Sequence, residues 1–275
     1  MRITADYHMH SFYSGDSDAP METMILSGMA LGMERMCFTE HMDMDYVYSA
    51  QETEGCFDLD TCAYREGIQK CRDTYGDRIW IGFGVEMGLQ PHLGEVMKQY
   101  IGSYDFDFVI GSSHLCNRRD PYYPEFFEGR NQQEAYREYF EATLENIRQF
   151  DDFDVYGHLD YVVRYGPEKD RNYAYAQYAD VLDEILKLLV SKGKGIEINT
   201  GAIPHGLREL NPCTDILKRY KELGGEIVTV GSDAHGPGRI GQGFDQAADF
   251  LSACGYKYYT VFEKRQPQFM ELCLK

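Results

Sequence analysis

Two short segments at opposite ends of the chain each carry a pair of side chains that can bind a metal ion. The segment DYHMHS contains His8 and His10, and the segment GSDAH contains Asp233 and His235. Residues two apart on a β-strand point to the same face of a sheet, so both members of a pair can reach one ligand. Imidazole nitrogens and carboxylate oxygens without thiolates are typical of zinc, manganese or iron sites. The two pairs are therefore candidate ligands of one metal site.

Similar side chains follow the other segments that are predicted to form strands. Seven short segments have the β-branched and aromatic composition of buried strands, and each ends in a polar residue. In chain order these end residues are His8 and His10, His41, Glu86, His114, His158, Asn199, and Asp233 with His235. Asp16 lies on the loop after the first pair, which returns toward the same ends. Six of the eight histidines thus lie at strand ends.

Helical segments alternate with these strands. In the segment that begins NQQEAYREYF, apolar and aromatic residues recur with the period of one helix face, and they do so again over residues 182–189. Gly193 and Gly224 follow two helical segments at the position of a C-terminal cap. Alternation of strands and helices along the whole chain predicts an α/β fold with a parallel sheet.

The polar strand ends distinguish a closed barrel from an open sheet. An open sheet concentrates its ligand at one switch point, whereas a ring of strands brings every carboxyl end to one mouth. The sequence therefore predicts an irregular barrel of seven strands. Pro267 in the tail YKYYTVFEKRQPQF argues against an eighth central strand. Because no linker or repeat interrupts the sequence, residues 1–275 are predicted to form a single domain.

The composition disfavours several classes of function. A formal net charge of −18 argues against a nucleic-acid partner, which requires clustered Lys and Arg. No segment is apolar enough to span a bilayer and the first residues do not resemble a signal peptide, so we expect a cytoplasmic protein without a membrane partner. The eight cysteines contain no CxxC pair, which predicts reduced thiols rather than disulfides or a zinc cluster.

Nine candidate ligands are too many for one ion. A divalent ion takes about four to six ligands including water, so nine side chains, some of them bridging, can hold two or three ions. Such sites suit phosphoryl chemistry, because a pair of ions lowers the pKa of a bridging water and clamps the oxygens on which charge develops. Hydrolysis of a phosphate monoester is among the slowest uncatalysed reactions. A site with two or three metal ions therefore suits the high activation barrier of this reaction.

The segments DYHMHS, TEH, GVE, GSSH, GHLD and GSDAH, with Asp16 six residues after His10, together resemble the polymerase and histidinol phosphatase (PHP) family. The resemblance implies a distorted (β/α)7 TIM-like barrel with three divalent ions, zinc, manganese or iron, at the C-terminal ends of the strands. The metal ligands that it implies are His8, His10, Asp16, His41, Glu86, His114, His158, Asp233 and His235. Apart from Asn199, which is not in this set, these are the residues that the strand ends and the first loop indicate.

Two further segments, GHLDYVVRYGP and EINTGAIPHGLR, resemble the histidinol-phosphate phosphatase branch, which hydrolyses L-histidinol phosphate in histidine biosynthesis. Arg164 and Arg208 lie in these segments, and each is either a bidentate phosphate ligand or part of a surface ion pair. Arg164 is favoured as the phosphate ligand because it closely follows a ligand-bearing strand end. Asn199 is another substrate-binding candidate. This chain has NTGA where the family commonly has NTSG, and His205 on the inserted AIPH segment is either a substrate contact or a solvated loop histidine.

The ligand set and the resemblance together predict a mechanism. A hydroxide that bridges two metal ions attacks phosphorus in line, while the third ion and Arg164 neutralise the non-bridging oxygens. His235 or Asp233 is the candidate that protonates the leaving alkoxide. The expected partner is a small phosphomonoester, and the sequence carries no signal for an oligomeric state.

Three other functions are compatible with parts of the pattern. Another PHP phosphoesterase would act on a nucleotide, a phosphotyrosine peptide or a nucleic-acid end, the last of which the acidic charge disfavours. A metal-dependent amidohydrolase also begins with an HxH pair, but that group often uses a carboxylated lysine, and here the third predicted strand ends in Glu86. A metal-bearing scaffold without catalysis would lack ligands, whereas all nine are present.

Overall fold

A computed structural model describes residues 3–50 and 52–272 of the chain. The barrel strands in these ranges are β1 (Ala5–Asp6), β2 (Arg35–Met42), β3 (Trp80–Gly88), β4 (Phe108–Ser112), β5 (Val155–Tyr156), β6 (Gly195–Asn199) and β7 (Val228–Gly231). They pair in parallel in chain order. The α-helices in the same ranges are α1 (Met21–Leu31), α2 (Thr61–Tyr75), α3 (Gly94–Gly102), α4 (Gln132–Gln149), α5 (Ala179–Ser191), α6 (Thr214–Glu222) and α7 (Phe244–Ala253). The predicted α/β alternation is confirmed.

The sheet closes through the segments that follow β1 and β7. The backbone N–H of Tyr7 donates to the carbonyl of Val230 at 3.0 Å, and the N–H of Asp233 donates to the carbonyl of His8 at 2.8 Å. One isolated parallel bridge joins the same two segments. The first and last strands are therefore neighbours, and the fold is a distorted (β/α)7 barrel of the TIM type.

Two strands are shorter than the sequence predicts, since β1 and β5 span only two residues each. After β5 the chain leaves the ladder because His158 adopts a positive φ of 20°. Its N–H then donates to the side-chain carboxylate of Glu197 on β6 at 2.9 Å instead of to a backbone carbonyl of a neighbouring strand. The irregularity of the barrel thus arises where the chain turns a candidate ligand toward the interior.

The helices cover the barrel with the faces that their periodicity predicts. The buried side chains of α4 are Ala135, Tyr136, Tyr139, Phe140, Thr143, Leu144, Asn146 and Ile147. Those of α5 are Val181, Leu182, Ile185, Leu186 and Leu189. Gly193 and Gly224, just beyond α5 and α6, have φ values of 67° and 94° that a side chain would disfavour. Both predicted helix ends are confirmed.

The C-terminal tail forms an antiparallel hairpin, β8 (Tyr258–Glu263) and β9 (Gln266–Glu271), outside the barrel sheet. It packs at the amino ends of the barrel strands. The guanidinium of Arg265 donates to the carboxylate of Asp154, just before β5, at 2.6 Å, and Val228 N–H donates to Thr260 Oγ1 at 3.1 Å. The prediction that the tail adds no central strand is confirmed.

Within residues 3–50 and 52–272, no helix combines the length and the apolar character that a membrane crossing needs. The cysteines in these ranges are free, as the sequence predicts. The eighth, Cys273, lies outside the described residues.

Candidate metal centre

The nine predicted ligands lie together at the carboxyl ends of the barrel strands, beside a cavity of about 930 Å³. His41 and Glu86 lie within β2 and β3, whereas His114, His158 and Asp233 each lie two residues beyond the end of a strand. Seven of the nine line the cavity: Asp16, His41, Glu86, His114, His158, Asp233 and His235. The other two, His8 and His10, lie beneath it and are fully buried.

The two sequence pairs from opposite ends of the chain converge in a first ligand group. His8 Nε2 and His10 Nε2 face each other at 3.1 Å. Asp233 Oδ1 lies 3.7 Å from the His8 nitrogen and 3.6 Å from the His10 nitrogen. Asp233 has a φ of 55°, a left-handed conformation that is uncommon outside glycine and is often found at functional sites. The barrel closure is what brings these three side chains together.

Glu86 joins this first group to a second one. Its Oε1 lies 3.1 Å from His114 Nε2 and 2.8 Å from His158 Nε2. Its Oε2 lies 3.1 Å from His8 Nε2 and 3.2 Å from His41 Nδ1. One fully buried carboxylate therefore presents each of its oxygens to a different pair of imidazoles, which is the geometry of a bridging ligand.

A third group lies nearest to solvent and is built around Asp16. Asp16 Oδ2 lies 3.0 Å from His235 Nε2 and 3.5 Å from His41 Nε2. The ring of His10 stacks between the rings of His41 and His235, with centroid distances of 4.2 and 4.3 Å. The first and third groups are thus in direct contact.

Unpaired nitrogens show that these residues fit metal ions. His41 Nδ1 lies close to Glu86 Oε2 and His235 Nε2 lies close to Asp16 Oδ2, yet neither nitrogen has a hydrogen-bond partner of acceptable geometry. Buried polar atoms are nearly always paired, so such contacts indicate atoms directed at a common ligand. Donor atoms that share an ion at about 2.0–2.2 Å are separated by roughly 3 Å, as they are here. The triplets with ligand atoms within 4.8 Å of one another are His8–His10–Asp233, His8–Glu86–His158, His41–Glu86–His114 and His10–His41–His235.

The electrostatics of the centre favour a cation. Burial would raise the pKa of Glu86, but the surrounding histidines hold it well below its ordinary value. Burial would lower the pKa of His114, but Asp43 and Glu86 outweigh this effect and raise it to about 10. Burial and neighbouring histidines lower the pKa of His10 to about 3. Ionised carboxylates and a neutral imidazole are the forms that coordinate a metal.

Two carboxylates outside the predicted set hold ring nitrogens that face away from the centre. His8 Nδ1 lies 2.6 Å from Glu197 Oε1, and His114 Nδ1 lies 2.6 Å from Asp43 Oδ1. We did not predict either residue. The signal was nonetheless present, since Glu197 precedes Asn199 by two residues and Asp43 follows a ligand histidine by two, so each shares the inward face of its strand.

A further buried carboxylate, that of Glu40, supports His10 through the hydroxyl of Ser14. Glu40 accepts hydrogen bonds from Ser11 Oγ at 2.5 Å and from Ser14 Oγ at 2.6 Å. Ser14 Oγ lies 3.1 Å from His10 Nδ1. This relay fixes the loop after the HxH pair and orients the ring of His10.

The four predicted substrate residues have different environments. Arg164 is buried at the cavity wall, where its guanidinium donates to Asp233 Oδ2 at 2.9 Å and to Asn199 Oδ1 at 2.7 Å. Asn199 is fully buried behind it. His205 lines the cavity, and burial together with the charge of Arg164 lowers its pKa to about 4. Arg208 lies outside the cavity wall: its side chain is 68 % exposed and is paired with Asp170.

The cavity wall also contains polar residues that we did not predict. Arg239 is exposed on the wall, and its guanidinium makes no hydrogen bond or ion pair with the described residues. Asp120 lies on the same wall, where it accepts a 2.5 Å hydrogen bond from Tyr46 Oη, and burial raises its pKa to about 6. The other aromatic residues of the wall are Phe57, Tyr122, Tyr123, Tyr161 and Tyr165. These residues lie on loops, which follow no strand or helix period that could have identified them.

Comparison with known proteins identifies the relatives of this chain. Histidinol-phosphatase from Lactococcus lactis subsp. lactis (strain IL1403) is 34% identical over 258 residues, which cover 94% of this chain and 93% of the relative. A probable histidinol-phosphatase from Clostridium acetobutylicum is also 34% identical, over 94% of this chain and 97% of the relative.

Solved structures give the same assignment. The crystal structure of histidinol phosphate phosphatase from Lactococcus lactis, complexed with zinc, L-histidinol and phosphate, has a TM-score of 0.87 at 32% identity and covers 96% of this chain and 98% of that one. The structure of a Listeria monocytogenes protein at 19% identity has a TM-score of 0.77, covers 88% of this chain and 99% of that one, and shares the fold. Residues 6–201 match the PHP domain family, and the barrel closure adds Asp233 and His235 to the ligands in that range. The chain therefore belongs to the PHP domain family, in the branch that contains the histidinol-phosphatases.

Proposed function

We propose that this protein is a metal-dependent phosphomonoesterase that hydrolyses L-histidinol phosphate to L-histidinol and phosphate. The observation that carries the proposal is the convergence of nine ligands on three groups that share Glu86 and His41, next to a cavity that opens to solvent. The relatives named above support the substrate, because the Lactococcus lactis structure holds zinc, L-histidinol and phosphate.

The ligand groups would hold three divalent ions, with zinc, manganese and iron all compatible with the donors. His8, His10 and Asp233 would bind the first, His114 and His158 the second, and Asp16, His41 and His235 the third, with Glu86 between the first and second. When bound, such ions supply a hydroxide nucleophile near neutral pH and neutralise the oxygens of the phosphoryl group.

The guanidinium groups of the cavity would bind the phosphate. Arg164 is rigidly held by Asp233 and Asn199, so its position relative to the ligand groups is fixed before substrate arrives. The guanidinium of Arg239 has no hydrogen-bond or ion-pair partner within residues 3–50 and 52–272, so it can donate two parallel hydrogen bonds to a phosphate. We therefore assign Arg239, rather than Arg208, as the second phosphate contact.

The acidic and aromatic part of the wall would bind the leaving group. Histidinol carries an ammonium group and an imidazole ring, and Asp120 and Glu52 lie on the wall with six aromatic side chains, those of Tyr46, Phe57, Tyr122, Tyr123, Tyr161 and Tyr165. A carboxylate complements the positive charge, while aromatic faces accept the ring and the cation. This chemistry disfavours a nucleotide, whose leaving group carries no ammonium.

His235 is better placed than Asp233 to deliver a proton to the leaving alkoxide. The pKa of Asp233 is well below its ordinary value, because the charges of His8 and Arg164 outweigh its burial, so this carboxyl carries no proton near neutral pH. The pKa of His235 is raised, since the carboxylate of Asp16 outweighs burial, and its ring is partly exposed to the cavity. Because His235 Nε2 is directed at the third ligand group, the proton would move to the alkoxide oxygen from Nδ1, which lies 3.0 Å from the carbonyl oxygen of Asp233.

A substrate panel tests the proposal. Phosphate release is measured for the metal-loaded protein with L-histidinol phosphate, nucleoside monophosphates, a phosphotyrosine peptide and a single-stranded oligonucleotide with a terminal phosphate. We expect kcat/KM to be highest for L-histidinol phosphate. A preference for any other member of the panel, or no phosphate release, contradicts the proposal.

A further inference from the structure

Glu197 is a buried carboxylate outside the nine ligands, and two ligand groups meet at it. Its Oε1 lies 2.6 Å from His8 Nδ1. Its Oε2 accepts hydrogen bonds from the backbone N–H of His158 at 2.9 Å and from the side-chain amide of Asn199 at 3.1 Å. The side chain is 1 % exposed and does not line the cavity, so substrate does not reach it.

The contact with Glu197 determines which nitrogen of His8 faces the metal centre. A carboxylate only accepts hydrogen bonds, so the His8 nitrogen beside it carries the proton. The lone pair then lies on Nε2, which is 3.1 Å from His10 Nε2 and 3.1 Å from Glu86 Oε2. Partners of this kind fix the tautomer and the ring orientation of a ligand histidine and raise its basicity.

The backbone of β7 packs closely against the His8 and Glu197 side chains. Gly231 on β7 lies against them, and a Cβ at that position would be 2.2 Å from His8 Cβ and 2.5 Å from Glu197 Oε1. Glycine is therefore required here by close approach. The His8 ring is confined between β7 and Glu197, so its direction follows from the position of the carboxylate.

We propose that Glu197 is a positioning residue that holds the His8 ring and the His158 backbone at a fixed separation. It thereby sets the relative position of the first and second ions. The inference rests on the metal centre of the proposed function. Both oxygens are occupied by donors of the chain, so Glu197 supports ligands and is not itself a ligand. Loss of the Glu197 carboxylate weakens metal binding in the first and second ligand groups.

Isosteric substitution at Glu197 tests this role. Glu197→Gln keeps the shape of the side chain but places an N–H₂ group against either His8 or the N–H of His158. Thr229→Val is the matched control, because Thr229 pairs with Glu197 across β6 and β7, is 1 % exposed and has a hydroxyl without a partner. Metal is removed with a chelator, and Zn²⁺ is titrated back in competition with a chromophoric chelator. Turnover is then measured against zinc concentration.

We expect Glu197→Gln to bind zinc about 10- to 100-fold more weakly than wild type, while Thr229→Val binds like wild type. Saturating zinc should restore most of kcat, because the side chain does not touch substrate. Long-range ¹H–¹⁵N spectra of the zinc-loaded protein should show His8 protonated on Nδ1 and coordinated through Nε2 in wild type, and a mixture of ring states in the variant. Glu197→Asp, which keeps the charge on a shorter side chain, should show an intermediate loss and serves if the amide variant does not fold.

Unchanged zinc affinity in Glu197→Gln overturns the positioning role while leaving the proposed function intact. A loss of kcat that saturating zinc does not restore, at normal affinity, also overturns it. A wild-type protein that binds no zinc, manganese or iron overturns both proposals.

Discussion

The guanidinium of Arg164 donates a 2.9 Å hydrogen bond to the carboxylate of Asp233, a residue 69 positions later in the chain. A second and a third nitrogen of the same group donate to Asn199 and Asn211 at 2.7 and 2.8 Å. Since Arg164 is buried and the Asp233 side chain is only 10% exposed, Arg164 fixes a candidate ligand carboxylate and a wall of the cavity at once.

Arg164→Lys should therefore affect stability and catalysis together. The ammonium group of lysine cannot satisfy three acceptors in the guanidinium plane, and an incompletely paired buried carboxylate costs about 3 kcal/mol. We expect kcat/KM to fall by about a hundredfold, as on removal of one fixed donor to a developing charge. Denaturant unfolding and phosphate-release kinetics measure the two effects. Arg208→Lys, on an exposed arginine paired with Asp170, is the control, and equal effects in both variants would contradict the assignment.

His10→Ala should abolish most activity without unfolding the protein. The His10 ring contributes to the first ligand group and stacks on both imidazoles of the third. We expect turnover to fall by more than about a hundredfold, beyond the effect typical of outer partners, together with a loss of bound metal. Metal analysis and steady-state kinetics check this, with His92→Ala as the exposed-histidine control. Near-normal turnover of His10→Ala would show that the nine residues are not the catalytic centre.

The raised pKa of Asp120 predicts a pH dependence that is specific to the cationic substrate. Burial raises this pKa to about 6, so Asp120 is charged above pH 6 and becomes neutral as the pH falls through 6. We expect kcat/KM for L-histidinol phosphate to decline below pH 6, because the carboxylate that binds the ammonium group is lost.

Phenyl phosphate, which has no positive charge, provides the comparison and should not show this decline. In Asp120→Asn the difference between the two pH profiles should disappear. Identical profiles for the two substrates in wild type would refute the role of Asp120.

If Arg239 contacts the substrate as proposed, Arg239→Ala should raise KM more than it lowers kcat, because this exposed guanidinium supports no ligand residue among those that the structure describes. Loss of a charge-assisted phosphate contact corresponds to about a tenfold rise in KM. Initial-rate measurements with L-histidinol phosphate check this against Arg208→Ala. If Arg208→Ala changes KM and Arg239→Ala does not, then Arg208 rather than Arg239 contacts the phosphate.

Metal binding should release protons. Without a metal, the pKa values of His8 and His41 are well above normal, because neighbouring carboxylates outweigh burial, and that of His114 is about 10. These imidazoles are therefore protonated at neutral pH and must lose protons to coordinate. We expect zinc affinity to rise with pH between 6 and 8.

Calorimetric titration in buffers of different ionisation enthalpy counts the released protons. The same titration gives the stabilisation by metal, which reaches about 2.7 kcal/mol at a concentration one hundred times Kd. Binding with no proton release would mean that the histidines are neutral before the metal arrives.

The sequence was sufficient to predict that the nine candidate ligands lie together, because the carboxyl ends of the parallel strands meet at one mouth. Each parallel strand delivers its last residues to the same mouth, so His41, Glu86 and His114 could be identified from their segments alone. The closure between the two chain ends followed from the same rule. Residues such as Asp120 and Arg239 lie on loops, whose direction depends on tertiary contacts rather than on a local period.

The position of Arg208 outside the cavity has the same physical origin, and of the two alternatives left open for it the structure shows the surface ion pair. Its segment is adjacent to β6, but the turns of 3-10 helix over Thr200–His205 carry the chain away from the mouth, and Asp170 then captures the side chain. The short length of β5 could not be predicted from the sequence either. The strand ends where the N–H of His158 donates a hydrogen bond to the carboxylate of Glu197, which lies 39 residues later in the chain.

The first ligand group lies where the segments after β1 and β7 meet, so it can form only after β7 has been synthesised. His8 and His10 are synthesised before the other barrel strands, yet their partner Asp233 follows more than two hundred residues later. A nascent chain or a fragment that stops before β7 has two of the three residues of the first ligand group and no bridge across the barrel wall. Occupancy of that group consequently reports that the barrel has closed, and a bound ion would hold the segment after the first barrel strand against the segment after the last.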